Sequence, residues 1–189
     1  MQPPSIPNNI VLIGFMGCGK STISRELRRL LGYPLVDMDA IIEERAAKPI
    51  NRIFEEDGEL VFRDMESGLL EELAAAAEKT RIIATGGGVV VRSQNRATLQ
   101  RLGYVVWLCA PPAVILSRTR NSQERPLLHA DDPAARIATL LAEREPWYRQ
   151  SAHLTVETAG LSSREIATGI LESARYFFAG HPHAPCQEP

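Results

Sequence analysis

The sequence predicts an α/β fold in which a parallel sheet is covered by helices on both faces. Two observations predict it. Short β-branched, apolar runs alternate with segments whose apolar residues recur at helical spacing. Glycine-rich or acidic sequences then stand at the ends of three successive apolar runs, the edge where open α/β sheets collect their ligands. A chain of 189 residues suits one domain, and 1–189 is read as a single domain with its core at 9–178.

In order along the chain, residues 9–13 (NIVLI) have the almost wholly apolar pattern of a strand buried on both faces. A helix is predicted over 20–31, where Ile23, Leu27, Leu30 and Leu31 share one face and Gly32 stops it. Residues 33–36 predict a second strand ending at Asp37, followed by helices over 40–47 and 59–78. RIIA at 81–84 is the third strand and runs into Thr85 and three glycines, with a helix over 92–102 behind them. YVVWL at 104–108 is the fourth strand, and a helix over 113–120 follows a double proline. A helix over 133–148, a strand over 153–157 and a helix over 162–178, capped by Ser162 or Ser163, complete the pattern. The polar stretch Arg120 to Glu124 marks 119–132 as a lid, and the Pro- and His-rich residues 180–189 predict a frayed tail.

Composition removes several function classes. With 23 acidic against 21 basic side chains the net charge is -2, which leaves no electrostatic footprint for duplex nucleic acid or an anionic membrane. The longest apolar stretch, 105–116, is broken by two prolines and is shorter than the ~20 residues of a spanning helix. The N-terminal MQPPSIPNN lacks the basic and apolar regions of a secretory signal. Cys18, Cys109 and Cys186 form no C-x-x-C pair and no metal spacing with the histidines, so reduced thiols in a cytoplasmic protein are expected. A monomer acting on small molecules is the expectation.

Residues 14–21, GFMGCGKS, satisfy G-x-x-x-x-G-K-[ST] between a predicted strand and a predicted helix. Glycines let the backbone form a concave nest of N–H donors, and the helix N-terminus adds partial positive charge. Lys20 supplies a full charge to β/γ-phosphates, and Ser21 offers its hydroxyl to Mg²⁺. Cys18 reads as a small side chain inside the loop rather than a nucleophile. The motif establishes a nucleotide without a reaction. Motors and nucleic-acid remodellers carry extra domains, and the chain has no N-K-x-D guanine motif, so a small kinase is the leading class.

The second and third strand ends read as the acceptor side. Asp39 precedes a predicted helix, where it serves either as an N-cap or as a carboxylate receiving a substrate hydroxyl. Asp37 stands nearer the metal, through water. Two acids beside a triphosphate are electrostatically costly unless a cation or a proton-bearing hydroxyl lies between them. Gly86, Gly87 and Gly88 cost backbone entropy, which points to close backbone approach or positive φ, with N–H groups able to hold an acceptor. The third strand ends without the acid of a standard Walker B, which throws metal duty onto Ser21 and Asp37. Arg63 has Glu66 at i+3 and reads either as a surface ion pair or as a ligand. Arg125, in RPLLH, is a lid arginine suited to charge spreading over a transferring phosphoryl group. Arg149 reads equally as a C-terminal helix charge.

The set GFMGCGKST, DMD, FRDME, ATGGG, RPLL and EPWYR, in this order and at roughly these intervals, resembles the shikimate kinases over about residues 9–178. The resemblance implies the nucleoside-monophosphate-kinase-like P-loop fold, with a five-stranded parallel sheet in the order 2-3-1-4-5. It implies transfer of the γ-phosphate of ATP to the 3-hydroxyl of shikimate, with a shikimate-binding region at about 37–66. By the same resemblance Gly17, Cys18, Gly19, Lys20, Ser21 and Thr22 bind ATP, Ser21 binds Mg²⁺, and Arg118 lies against adenine. Arg125 reaches the phosphates, Asp39 holds the acceptor hydroxyls and takes the proton, Gly87 meets the ring hydroxyls, and Arg63 and Arg149 grip the carboxylate. Met38 stands where the family more often has Ser or Thr. Residues 159–161 carry no polar side chain like the family's usual adenine contact. The rivals are another small-metabolite kinase, such as a gluconate kinase, and a nucleotide-binding regulator without phosphotransfer.

Overall fold

A computed structural model describes residues 9–76, 80–120 and 132–179. The predicted lid, apart from its first two residues and its last, lies outside them, as do Arg125, the 180–189 tail and the last residues of the predicted helix over 59–78.

The centre of the molecule is β1 (Asn9–Ile13), buried at every position. Because side chains alternate across a strand, Val11 and Ile13 enter one apolar cluster while Ile10 and Leu12 enter the other. Such a run needs cover on both faces; each buried Val, Leu or Ile contributes about 1.5–3 kcal/mol. Around it lie β2 (Leu35–Asp37), β3 (Arg81–Ala84), β4 (Tyr104–Cys109) and β5 (Leu154–Glu157), all pairs parallel, in the order β2-β3-β1-β4-β5. The register sets Asp37 and Leu12 opposite Ala84, and Ile13 opposite Trp107, so the carboxyl ends of the first four strands share one edge. At the opposite edge the Asn9 amide donates to the Leu102 carbonyl at 2.8 Å and accepts from the Arg81 N–H at 3.0 Å.

One face is covered by α1 (Lys20–Leu31) and α8 (Ser163–Phe178), through Ile23, Leu27, Ile166 and Ile170. The other carries α2 (Met38–Ala46), α3 (Ile50–Glu56), α4 (Glu59–Ala75), α5 (Ser93–Leu102) and the end of α7 (Pro133–Ser151). Between them α6 (Pro112–Thr119) packs its Ile115 with Ile137 and Leu140 of α7.

The differences from expectation are local. The helix predicted over 40–47 begins at Met38, so its N-cap is Asp37, whose carboxylate accepts from the Ala40 N–H at 3.4 Å, and not Asp39. That releases Asp39 into the first turn. Helix α3 was not predicted, although Ile50, Ile53 and Phe54 follow Pro49 at helical spacing. β2 starts only at Leu35, because Pro34 has no N–H to give the ladder and enters it through its carbonyl, which accepts from Ile82 at 2.9 Å.

Candidate active site

The phosphate loop turns sharply between β1 and α1. Gly14, Gly17 and Gly19 all have positive φ, and a Cβ at Gly14 would stand 2.2 Å from the Leu108 carbonyl oxygen. Only glycine allows the loop to fold back against β4 here. The Lys20 ammonium lies over the loop, donating to the Gly14 and Phe15 carbonyls at 2.7 and 3.1 Å. Ser21 and Thr22 follow in the first turn of α1. The Cys18 side chain is wholly buried in the apolar cluster under α1 and α8, as a small packing residue would be.

A cavity of about 770 Å³ opens along the carboxyl edge of the sheet. Gly17, Gly19, Lys20, Ser21, Thr22, Asp37, Asp39, Arg63, the three glycines and Arg118 all line it. The three strand ends singled out in the sequence therefore meet in one space. Arg149 does not line it.

Asp39 sits on the first turn of α2. Burial, aided by the nearby Asp37 and Glu43 carboxylates, outweighs the opposing Lys20 and Arg63 charges and holds its carboxyl above the usual carboxylate range. Arg63 does make the expected i+3 contact with Glu66, at 2.8 Å, but not on the surface: the side chains are 6% and 0% exposed. Its fork also reaches Glu59 at 3.0 Å, and its guanidinium lies 5.2 Å from the Phe62 ring centre. Glu66 is so enclosed that burial raises its pKa despite Arg63, and its Oε1 accepts no hydrogen bond from the described residues. A buried pair of this kind fixes a guanidinium in place more than it stabilises the fold.

The triple glycine follows from the same crowding. None of the three has positive φ. A Cβ on Gly86 would stand 2.6 Å from Glu66 Oε1 and 2.8 Å from Asp39 Oδ1, and one on Gly88 would stand 2.2 Å from the Arg63 guanidinium. At Gly86 and Gly88 charged side chains occupy the space of a β-carbon, and at Gly87 the backbone of the phosphate loop crowds it, with the Met16 nitrogen 3.2 Å away. Close approach, and not turn geometry, is the reason.

On α7 the arginine that lines the cavity is not the expected Arg149. Arg149 is 59% exposed, paired with Glu145 at 2.9 Å and laid over the Trp107 ring. Arg144 is the arginine of this helix that lines the cavity; it is buried, lies 5.6 Å from the Phe15 ring centre and donates to the Gly87 carbonyl at 3.3 Å. Five residues rotate a helix face by about 140°, so the two cannot point the same way. Sequence reading also passed over Thr158. Its hydroxyl donates to the Cys18 carbonyl at 2.9 Å and receives Arg118 at 3.1 Å, while Arg118 also reaches the Gly17 carbonyl at 3.2 Å. Arg118 thus ties the phosphate loop to the segment after β5.

Ser21 and Asp37 line the same cavity and offer oxygen alone. Among the described residues no three His, Cys, Asp or Glu side chains gather for a metal. A hydroxyl and a carboxylate suit a hard cation that takes its other ligands from phosphate and water; Mg²⁺ fits that donor set.

The family model described as shikimate kinase matches residues 16–175. The chain belongs to the shikimate kinase family. A shikimate kinase from Halorhodospira halophila is 46% identical over 88% of this chain and 93% of its own length. The fold agrees with a shikimate kinase from Acinetobacter baumannii solved in complex with shikimate: TM-score 0.84 and 40% identity, over 89% of this chain and 93% of that one. A gluconokinase from Sinorhizobium meliloti shares the fold alone, with TM-score 0.57 and 18% identity over 93% of this chain and 95% of that one. The strand order expected of a shikimate kinase is the one observed. Among the described residues no helix is long and apolar enough to cross a membrane.

Proposed function

We propose that this shikimate kinase family member transfers the γ-phosphoryl group of ATP to the 3-hydroxyl of shikimate, giving shikimate 3-phosphate and ADP on the route to chorismate and the aromatic amino acids. The observation that carries the reading is that one cavity holds the Lys20 ammonium, the Asp39 carboxylate and two buried arginines, Arg63 and Arg144. A triphosphate on the glycine loop and an anionic polyol beside Asp39 then face each other within a single space.

The residues divide the work by charge. The loop from Gly17 to Thr22 cradles the phosphates through its N–H groups and the N-terminus of α1, and Lys20 bears on the β/γ-phosphates. Arg63 and Arg144 present planar forks suited to a carboxylate; Arg144 takes the place first given to Arg149. Asp39 receives the acceptor hydroxyl and takes its proton, and its raised pKa makes it a stronger base than an exposed aspartate. The Gly86–Gly88 backbone meets the ring hydroxyls. Arg118 lies against the adenine, and Arg125 reaches the phosphates from the lid. Ser21, with Asp37 through water, would hold Mg²⁺, which would supply positive charge to neutralise the phosphates. Residues 37–66 form the acceptor-binding region of a single domain, and the protein works as a cytoplasmic monomer.

ADP release from ATP and Mg²⁺ is the test, with shikimate or gluconate as acceptor. Release dependent on shikimate and absent with gluconate is expected. Equal release with gluconate, or none with either, would reject the proposed reaction.

A further inference from the structure

Two helical positions one turn apart on α7 converge on a single backbone atom. Tyr148 is wholly buried, and its hydroxyl donates to the Gly87 carbonyl. Arg144 Nη1 reaches that same oxygen at a longer 3.3 Å. The tyrosine ring lies parallel to Trp107 of β4, ring centres 5.7 Å apart at 12°, so the hydroxyl is the tip of a rigid strut rising from the sheet. Burial holds its pKa well above the usual range, which keeps it a neutral donor at any working pH.

Gly87 is the middle residue of the loop that crowds Asp39 and Arg63. On its other side it packs on the phosphate loop, where an added Cβ would stand 3.2 Å from the Met16 nitrogen. The height of this loop therefore sets the gap between cradle and acceptor pocket. The Gly87 carbonyl can take two donors. If Arg144 turns its fork to a carboxylate, Tyr148 leaves that carbonyl satisfied, so no acceptor is stranded by the turn.

We propose that Tyr148 is a positioning residue for the acceptor: its hydroxyl pins Gly87 and thereby frees Arg144 to bind the substrate carboxylate. The proposal rests on the acceptor reading given above. It also accounts for the placing of Trp147 and Tyr148 in the last two turns of α7, packed against the sheet-face cluster about one turn after the cavity arginine.

Tyr148→Phe keeps the ring and its stacking and removes one oxygen. KM for the acceptor is expected to rise about tenfold, with KM for ATP held within about twofold. Tyr104→Phe is the structural control; it removes the hydroxyl of another buried tyrosine, bonded to Ser173 on the other face of the sheet, and should lower Tm by a similar amount while moving the acceptor KM by less than about twofold. An unchanged acceptor KM in Tyr148→Phe, an equal rise in both KM values, or a variant that no longer folds would each overturn the proposal, because the hydroxyl would then serve nothing or the fold alone. The comparison uses whichever acceptor the wild-type protein phosphorylates. Failure of the shikimate reading thus shows in the wild-type reference, and failure of the Tyr148 role shows in the ratio of variant to wild type.

Discussion

At Asp39 the fold holds a carboxylate where water can do little to stabilise its charge, and it surrounds that carboxylate with both signs of charge. Asp39→Asn is expected to cut kcat by about 10²–10⁴, the usual range for loss of a positioned base, with KM for ATP unchanged. Since the wild-type pKa is raised in the fold, stability drawn from Asp39 is greatest below its ordinary value and is lost as pH rises through the folded value. The Asn variant should therefore unfold at neutral pH no earlier than the wild type; an earlier Tm would show that the charge serves the fold. Arg144→Ala should raise the shikimate KM by about tenfold or more, as for a lost hydrogen bond to a charged group. Arg149→Ala, at an exposed ion pair, should leave it within about twofold. Steady-state kinetics on the two variants decides which arginine grips the carboxylate. Lys20 and Ser21 were legible in the sequence because their G-x-x-x-x-G-K-[ST] motif stands between a strand and a helix; local context left two readings open for Asp39 and for Arg63, and the family resemblance chose between them. Arg144 was not legible, because the facing side of α7 is set by Trp107 and Phe15, which come from distant strands and loops.

Among the elements, α2 ends at Ala47 with φ 53°, the one non-glycine residue with positive φ among those described. Ala47→Gly removes a strained αL alanine and should stabilise the protein by about 0.5–1 kcal/mol, net of the extra freedom gained by the unfolded chain. At the start of α8, Ser162 and Glu165 cap each other reciprocally. Ser162→Ala should cost about 1 kcal/mol, and denaturant unfolding checks both variants. The inner strands β1, β3 and β4 could be read from sequence because a doubly covered parallel strand shows as a largely apolar run. Helix α3 was missed for a different reason. Its seven residues are too few for periodicity to stand out, yet Ile50 and Phe54 line the cavity.

Across the molecule, sheet and active site respond to acid at different places. The His153 Nδ1 accepts from the Val105 N–H at 3.0 Å, and the ring packs against Tyr104 and Phe177. Burial lowers its pKa below the ordinary 6.5, so the neutral ring is the folded form. Its contribution is present above that ordinary value and is lost as pH falls through the lower, folded value. His153→Gln should accordingly flatten the acid side of the Tm–pH curve without altering the shikimate KM near neutral pH. The parallel, doubly covered sheet was legible because short apolar runs alternate with helices; its strand order came with the family resemblance, since alternation alone leaves the order open. The depth of the Arg63–Glu66 pair was not legible, since an i+3 spacing looks the same whether a helix face meets water or a glycine loop.

Phosphate cradle and acceptor pocket are proposed as two ends of one cavity. The most direct measurement is a crystal structure of the protein with shikimate and a non-hydrolysable ATP analogue. The shikimate carboxylate is expected on Arg63 and Arg144, with the 3-hydroxyl between Asp39 and the γ-phosphate analogue. A carboxylate held by Arg149, or a 3-hydroxyl turned away from Asp39, would contradict the proposal.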